Sequence, residues 1–252
     1  MTLAAALLGL AVGSFLNVVI ARLPEQRSLV RPRSACPACG AAIAWHDNIP
    51  ILSFALLLGR CRACGIRIPW RYPLVEAATG TLFAACAAAF GPSVDFVIAA
   101  AFLAALVAIT FIDLDHQIIP NAITYPGIVA GLLASLVSAR VSWLESGLGV
   151  LVGGGIFLVI AEGSLRIMGQ EGMGGGDVKL GAMLGAFLGW KAMLFTILLS
   201  VVGGGLVAAM LIASGLKSRK DPIPFGPFLA FAGAIGFFWG EAAVRWYLAV
   251  FV

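Results

Sequence analysis

The sequence predicts an all-α polytopic membrane protein of about eight transmembrane helices, with one small cytoplasmic lobe between helices 1 and 2. Three observations carry that reading. The 252-residue chain is 61% hydrophobic and only 11% charged, where soluble domains are nearer half apolar and a quarter charged. Long apolar runs recur along it, separated by short polar gaps. One stretch, residues 22–72, breaks the pattern and holds eight arginines and four of the five cysteines.

The apolar segments fall at about 2–21, 73–90, 94–112, 121–139, 145–167, 177–190, 191–214 and 226–250. A helix needs roughly 20 apolar residues to span a bilayer, with about 17 as the lower end, so the sixth segment is short. The run ILSFALLLG at 51–59 is shorter still and is bracketed by cysteines; it is expected to be buried within the lobe. The domain organisation expected is a first spanning helix at 1–21, the lobe at 22–72 within an N-terminal domain of roughly 10–90, a membrane domain at 94–215 and a last helix at 226–250.

The first segment does not have the order of a cleaved signal peptide, which carries its positive charge before the apolar run. Here Arg22, Arg27, Arg31 and Arg33 follow it. Positive charge gathers in cytoplasmic loops, so the N-terminus is expected outside and the lobe inside. With eight spans, thirteen of the sixteen Lys and Arg fall on the lobe's side, and Arg140, Lys191 and Arg245 fall on the other. The loops at 113–121 and 166–177 are then cytoplasmic as well. Glycine-rich stretches at 150–155 and 201–205 suit close helix packing in lipid.

The lobe contains CPACG at 36–40 and CRACG at 61–65. Two C-x2-C knuckles 21 residues apart present four thiolates to one ion. Four thiolates close a tetrahedral site with no open position, which makes the metal, expected to be Zn2+, structural. Two disulfides are the competing reading, which a reducing compartment disfavours. The ligands are Cys36, Cys39, Cys61 and Cys64. Cys86 stands alone in the second span and is expected to be a small apolar filler. His46 and His116 are expected to be satisfied polar residues and not ligands.

Two stretches place acids at the membrane rim: FIDLDHQIIPN at 111–121 and EGMGGGDVKL at 171–180. The second resembles a phosphate loop but lacks G-x-x-x-x-G-K-[ST], and its Asp177 would repel phosphate. Its glycines, Gly174 and Gly176 among them, would let a peptide or a helix approach the backbone beside the acid. Taken singly, Asp177 could be a helix N-cap and Asp113 a polar residue at a helix end. Taken together they lie at one depth, and ionisable residues within a membrane are functional by default. Two nearby carboxylates share a proton. One then activates water and the other protonates a carbonyl, which is aspartic peptide hydrolysis. Asp115 would face away from Asp113 along a helix and ranks second.

These stretches, with GSFLNVVIARLP at 13–24, RYPLVE at 71–76 and PIPFGPFLA at 222–230, resemble the bacterial type IV prepilin peptidases nearly end to end. G-x-G-D at 174–177 is weak alone; the set in this order is specific. The resemblance implies a bifunctional, multi-pass enzyme of the bacterial inner membrane. It would cut the leader of type IV prepilins and type II secretion pseudopilins on the cytoplasmic side. It would then methylate the new N-terminus with S-adenosylmethionine. It implies Asp113 and Asp177 as catalytic residues, the four cysteines as zinc ligands, and pilus or type II secretion machinery as partners. Membrane lipid is a further partner, and no nucleic acid is expected. Many members have an acid where this chain has Asn121, which is expected to be a tolerated change and a cap on the following helix. No pattern in the sequence marks a methyl-donor pocket. Glu76 and Asn17, in matched motifs, could serve methyl transfer or helix–helix hydrogen bonding.

A transporter or proton channel is the alternative from another class, since paired acids and glycine-broken helices suit it too. It would need polar residues continuing across the membrane, and the later spans offer few beyond Glu162. A scaffold held by the metal lobe gives no reason for acids matched in depth. A peptidase without methylation is a third reading.

Overall fold

A computed structural model describes residues 1–169, 173–218 and 221–251. Gly172 of the glycine-rich stretch, and Arg219 and Lys220 of the charge count, lie outside them. The described residues are helical, with no strand beyond two isolated bridges. The helices are α1 (Thr2–Arg22), the short α2 (Leu52–Leu56), α3 (Arg71–Phe90), α4 (Val94–His116), α5 (Asn121–Val137), α6 (Trp143–Met168), α7 (Gly175–Ala213) and α8 (Gly226–Phe251). Six of these are long and apolar enough to cross a membrane, and the 17-residue α5 is a shorter apolar helix. This is a multi-pass membrane protein. The chain forms two compact units, Met1–Ala108 and Ile109–Val252, with the division inside α4.

In unit 1, α1 and α3 run antiparallel. Gly9 lies against Thr79 and Gly80, Gly13 lies against Glu76, and the Asn17 amide donates to the Tyr72 carbonyl at 3.1 Å. A methyl on Gly13 would sit 2.7 Å from the Glu76 backbone, so small residues set the helix spacing, as expected in lipid. Cys86 is fully buried in α3, as a small apolar residue would be.

The lobe joins these helices. Its run at 51–59 departs from expectation: Leu52, Leu56 and Leu58 are well exposed and only Ser53 and Gly59 are buried. The lobe has too little chain to cover a second apolar layer, a limit that surface-to-volume scaling sets for small domains. Phe54 and Leu57 are half-buried, and Phe54 packs on Trp70 with ring centres 4.9 Å apart and lies beneath Gly59. His46 sits in an exposed single turn beside Asp47. The Arg62 guanidinium grips Asp47 at 2.6 Å and holds its carboxyl below the usual range.

In unit 2, α7 explains how two expected segments became one element. Thirty-nine residues of straight helix would run about 58 Å, nearly twice the hydrocarbon thickness. The helix is not straight: Gly189 has φ 71° and ψ 165°, backbone that essentially only glycine adopts. Packing shows that the two halves run in opposite directions. Along α8, Gly233 meets Leu184 and Gly236 meets Leu188, so the first half runs with α8. Gly240 then meets Ala192, Gly236 meets Thr196 and Phe228 meets Gly204, so the second half runs against it. The α6 helix lies along the first half in the opposite sense, with Gly149 on Gly185 and Gly153 on Gly181, backbone on backbone. The Ser146 hydroxyl donates to the Ala186 carbonyl across this seam at 2.7 Å. An N-terminal capping box, Ser142 with Glu145, starts α6, as Ser-x-x-Glu signals in sequence.

Candidate functional site

The end of α4, the start of α7 and the start of α8 converge at one end of unit 2. Asp113 projects from the last turn of α4 and is 5% exposed. Two residues on, Asp115 is exposed: 200° around a helix, it points the other way. Asp177 lies in the first turn of α7 and is half-buried. It is not the N-cap; Gly174 is, and Asp177 occupies the third helical position. A carboxylate there suits the positive end of the helix dipole.

The two aspartates are close enough to interact electrostatically. Each carboxylate also accepts from a backbone amide, Asp113 from Gly226 and Asp177 from Gly174. Among the described residues the nearest lysine in sequence, Lys179, is drawn away: its ammonium donates to the Asn121 side chain at 2.7 Å and lies 5.6 Å from the Tyr125 ring. Asn121 therefore ties α5 to α7 and is not a side-chain cap, which α5 lacks.

The glycines divide by environment. Gly174 and Gly175 are exposed, and a methyl on Gly175 would meet nothing within 4 Å. Gly176 instead faces Ile119, whose Cβ would lie 2.9 Å from an added methyl. Ile119 also reaches Gly226, so one side chain packs against two glycines beside the acids. Neither Ile119 nor Gly226 was singled out from sequence. Both lie inside quoted stretches, Gly226 in PIPFGPFLA and Ile119 in FIDLDHQIIPN, and that was the available signal.

The four cysteines form a second site, in unit 1. Their Sγ atoms all lie within 4.8 Å of one another, with Cys36 and Cys64 at 3.9 Å. A tetrahedron of sulfurs on bonds of about 2.3 Å has edges of about 3.8 Å, so the cluster could hold a metal ion. No disulfide links the described cysteines. The two knuckles fold alike: Gly40 and Gly65 donate to the Cys36 and Cys61 carbonyls at 2.9 Å, and both glycines have φ near +70°. The amides of Cys39 and Ala38 bring the Cys36 thiol down to about 7, against the opposing push of burial. At Cys64 the Ile66 amide acts downward, but burial and the neighbouring thiols outweigh it and raise that group to about 11.

Glu76 is buried on α3 and accepts from the Ile51 amide at 2.8 Å and from Ser14. Ile51 has φ 59°, unfavourable for a β-branched residue, so Glu76 helps hold a strained turn of the lobe. One turn away, Asn17 is 4% exposed and its Oδ1 has no hydrogen-bond partner.

Comparison with known proteins gives the family. The bacterial peptidase A24 N-terminal domain matches residues 7–90, and the type IV leader peptidase family matches residues 100–209. A prepilin leader peptidase/N-methyltransferase of Aeromonas hydrophila is 40% identical over 98% of this chain and 93% of its own length. Those so named from Myxococcus xanthus and Pseudomonas aeruginosa are 46% and 37% identical. They align over 82% of this chain and 62% of the first, and over 96% and 91% for the second. None of the three is named as a transporter. No solved structure gives a significant match. The chain belongs to the type IV leader peptidase family of membrane aspartic peptidases.

Proposed function

We propose that this chain removes the leader peptide of prepilins and pseudopilins and methylates the N-terminus so exposed. The observation that carries the peptidase half is the pairing of Asp113 with Asp177 from two helices, each accepting a backbone amide, beside the open edge at Gly174 and Gly175. In the reaction the ionised carboxylate takes a proton from water as the water oxygen bonds to the scissile carbonyl carbon. The protonated carboxylate gives its proton to the carbonyl oxygen. The tetrahedral diol then collapses: one diol hydroxyl gives its proton to the ionised carboxylate, the C–N bond breaks, the nitrogen takes the proton of the other carboxyl, and an acid and an amine leave with the dyad again holding one proton. Apolar surroundings such as Ile112 and Ile119 limit the water that could separate the pair. The site residues are Asp113 and Asp177, with Gly174 and Gly176 supplying backbone and Asp115 in reserve.

The tetracysteine site holds Zn2+ in this reading, through Cys36, Cys39, Cys61 and Cys64, and its role is to fold the lobe. The methyl group comes from S-adenosylmethionine, whose sulfonium makes that group electrophilic. The unpartnered Asn17 Oδ1 and the Glu76 carboxylate are acceptors suited to its ammonium. The protein sits in the bacterial inner membrane with its N-terminus periplasmic and the lobe cytoplasmic, where it meets substrates of the pilus and type II secretion machineries.

The test is the intact mass of a prepilin coexpressed with this chain. Loss of the leader plus the mass of one methyl group supports both activities. Leader loss alone removes the methylation claim. A prepilin panel left uncut overturns the reading.

A further inference from the structure

At the end of unit 2 away from the aspartates, a cavity of about 150 Å³ opens beside the turn at Gly189. Its walls include Arg140, Leu188, Phe237, Glu241 and Arg245. Two guanidinium groups against one carboxylate leave this lining with a charge of +1. The sequence places only three of its sixteen cations at this end. Lys191 pairs with Glu145 at 3.4 Å; the other two both line the cavity.

Arg140 is held in place. Its Nη2 donates to the Phe237 carbonyl at 2.6 Å, and its guanidinium carbon lies 4.4 Å from the Phe237 ring centre. That fixes the plane of the fork, the part of arginine that matches phosphate oxygens. Tryptophans mark the depth. Trp143, Trp190, Trp239 and Trp246 all belong to this end, and Trp143 and Trp239 are 67% and 60% exposed. Tryptophan gathers where hydrocarbon meets headgroups. A net-positive hollow at that depth lies where lipid phosphates would be.

We propose that this cavity binds the phosphate of an anionic phospholipid headgroup, held between Arg140 and Arg245. Basic pockets between membrane helices bind lipid headgroups at the cytoplasmic face, and the same charge complementarity applies at the opposite face. The site is separate from the aspartates and does not rest on the peptidase reading.

The test is native mass spectrometry of the full chain in detergent, with phosphatidylglycerol or phosphatidylcholine added. The wild-type chain should retain phosphatidylglycerol about tenfold better, as two arginines partly offset by one glutamate would give. Arg140→Gln with Arg245→Gln should lower retention to the phosphatidylcholine level. Glu241→Gln should raise it, and this variant carries the test if the double one does not fold. Equal retention of the two lipids, or retention that neither change moves, overturns the proposal. Displacement by millimolar inorganic phosphate overturns the lipid as its source.

Discussion

Asp113 and Asp177 can act as a pair only if their oxygens stay within reach of one water molecule, and single groups around them control that. Replacing either by asparagine keeps size and hydrogen bonding but removes the shared proton. Cleavage should fall by roughly 10⁴-fold in each variant, and the double variant should be no worse than either alone, because residues acting as a unit are not additive. Gly226→Ala is a subtler probe. The new methyl would lie 2.5 Å from Asp113 Oδ2, and the carboxylate must swing aside. A displacement of that size should cost about 10–100-fold in kcat, with the melting temperature in detergent nearly unchanged. Steady-state cleavage beside a thermal melt reads both. The acids themselves were legible in sequence because charge is rare in apolar runs. Gly226 was hidden because its role is to be small next to a residue 113 positions away, and no local pattern records that. Asn121 misled for a similar reason: its sequence position suits a cap, and only the fold brings Lys179 to it.

At the level of elements, the turn at Gly189 sets the register of unit 2. Gly189→Ala should lower stability by about 1–3 kcal/mol, the usual cost of a side chain in sparsely populated backbone. Thermal unfolding in detergent micelles measures it. The seam between α6 and α7 is less forgiving. A side chain at Gly185 would run into the Gly149 carbonyl, backbone that cannot swing away. Gly185→Leu should therefore abolish accumulation of folded protein, whereas Gly163→Leu, where a methyl meets nothing within 4 Å, should be tolerated. Folded yield after membrane extraction separates the two. Hydropathy divided α7 into two segments at the turn and left the first of them shorter than a span needs. It could not show that helical hydrogen bonding runs up to the turn on both sides. Periodicity also failed for the stretch at 51–59, since an apolar run reads alike whether the lobe covers it or leaves it exposed.

For the whole molecule, the sequence divides labour between a polar lobe and an apolar body. The lobe has little core of its own: Phe54 packs on Trp70, and most other large apolar side chains there are exposed. In the proposed reading a metal at the four cysteines supplies much of its folding free energy. Purified protein should carry one zinc per chain by elemental analysis. Cys36→Ser with Cys64→Ser should abolish that and open residues 22–72 to limited proteolysis, while the helices of unit 2 stay protected. Full zinc retention in the double variant would contradict the four-cysteine site. Within the lobe the cysteine cluster was legible, because four cysteines at fixed spacing leave few geometries. The cavity at Arg140 and Arg245 was invisible by the same token, its residues spread over the connection before α6 and over α7 and α8.

The most direct measurement is cleavage of a purified prepilin by the wild-type chain, Asp113→Asn, Asp177→Asn and the double variant. All four would be reconstituted at matched amounts after a melt confirms folding. The prediction is full cleavage by the wild type and loss of roughly 10⁴-fold in all three variants. Cleavage at near wild-type rate by either single variant would contradict the paired-aspartate site.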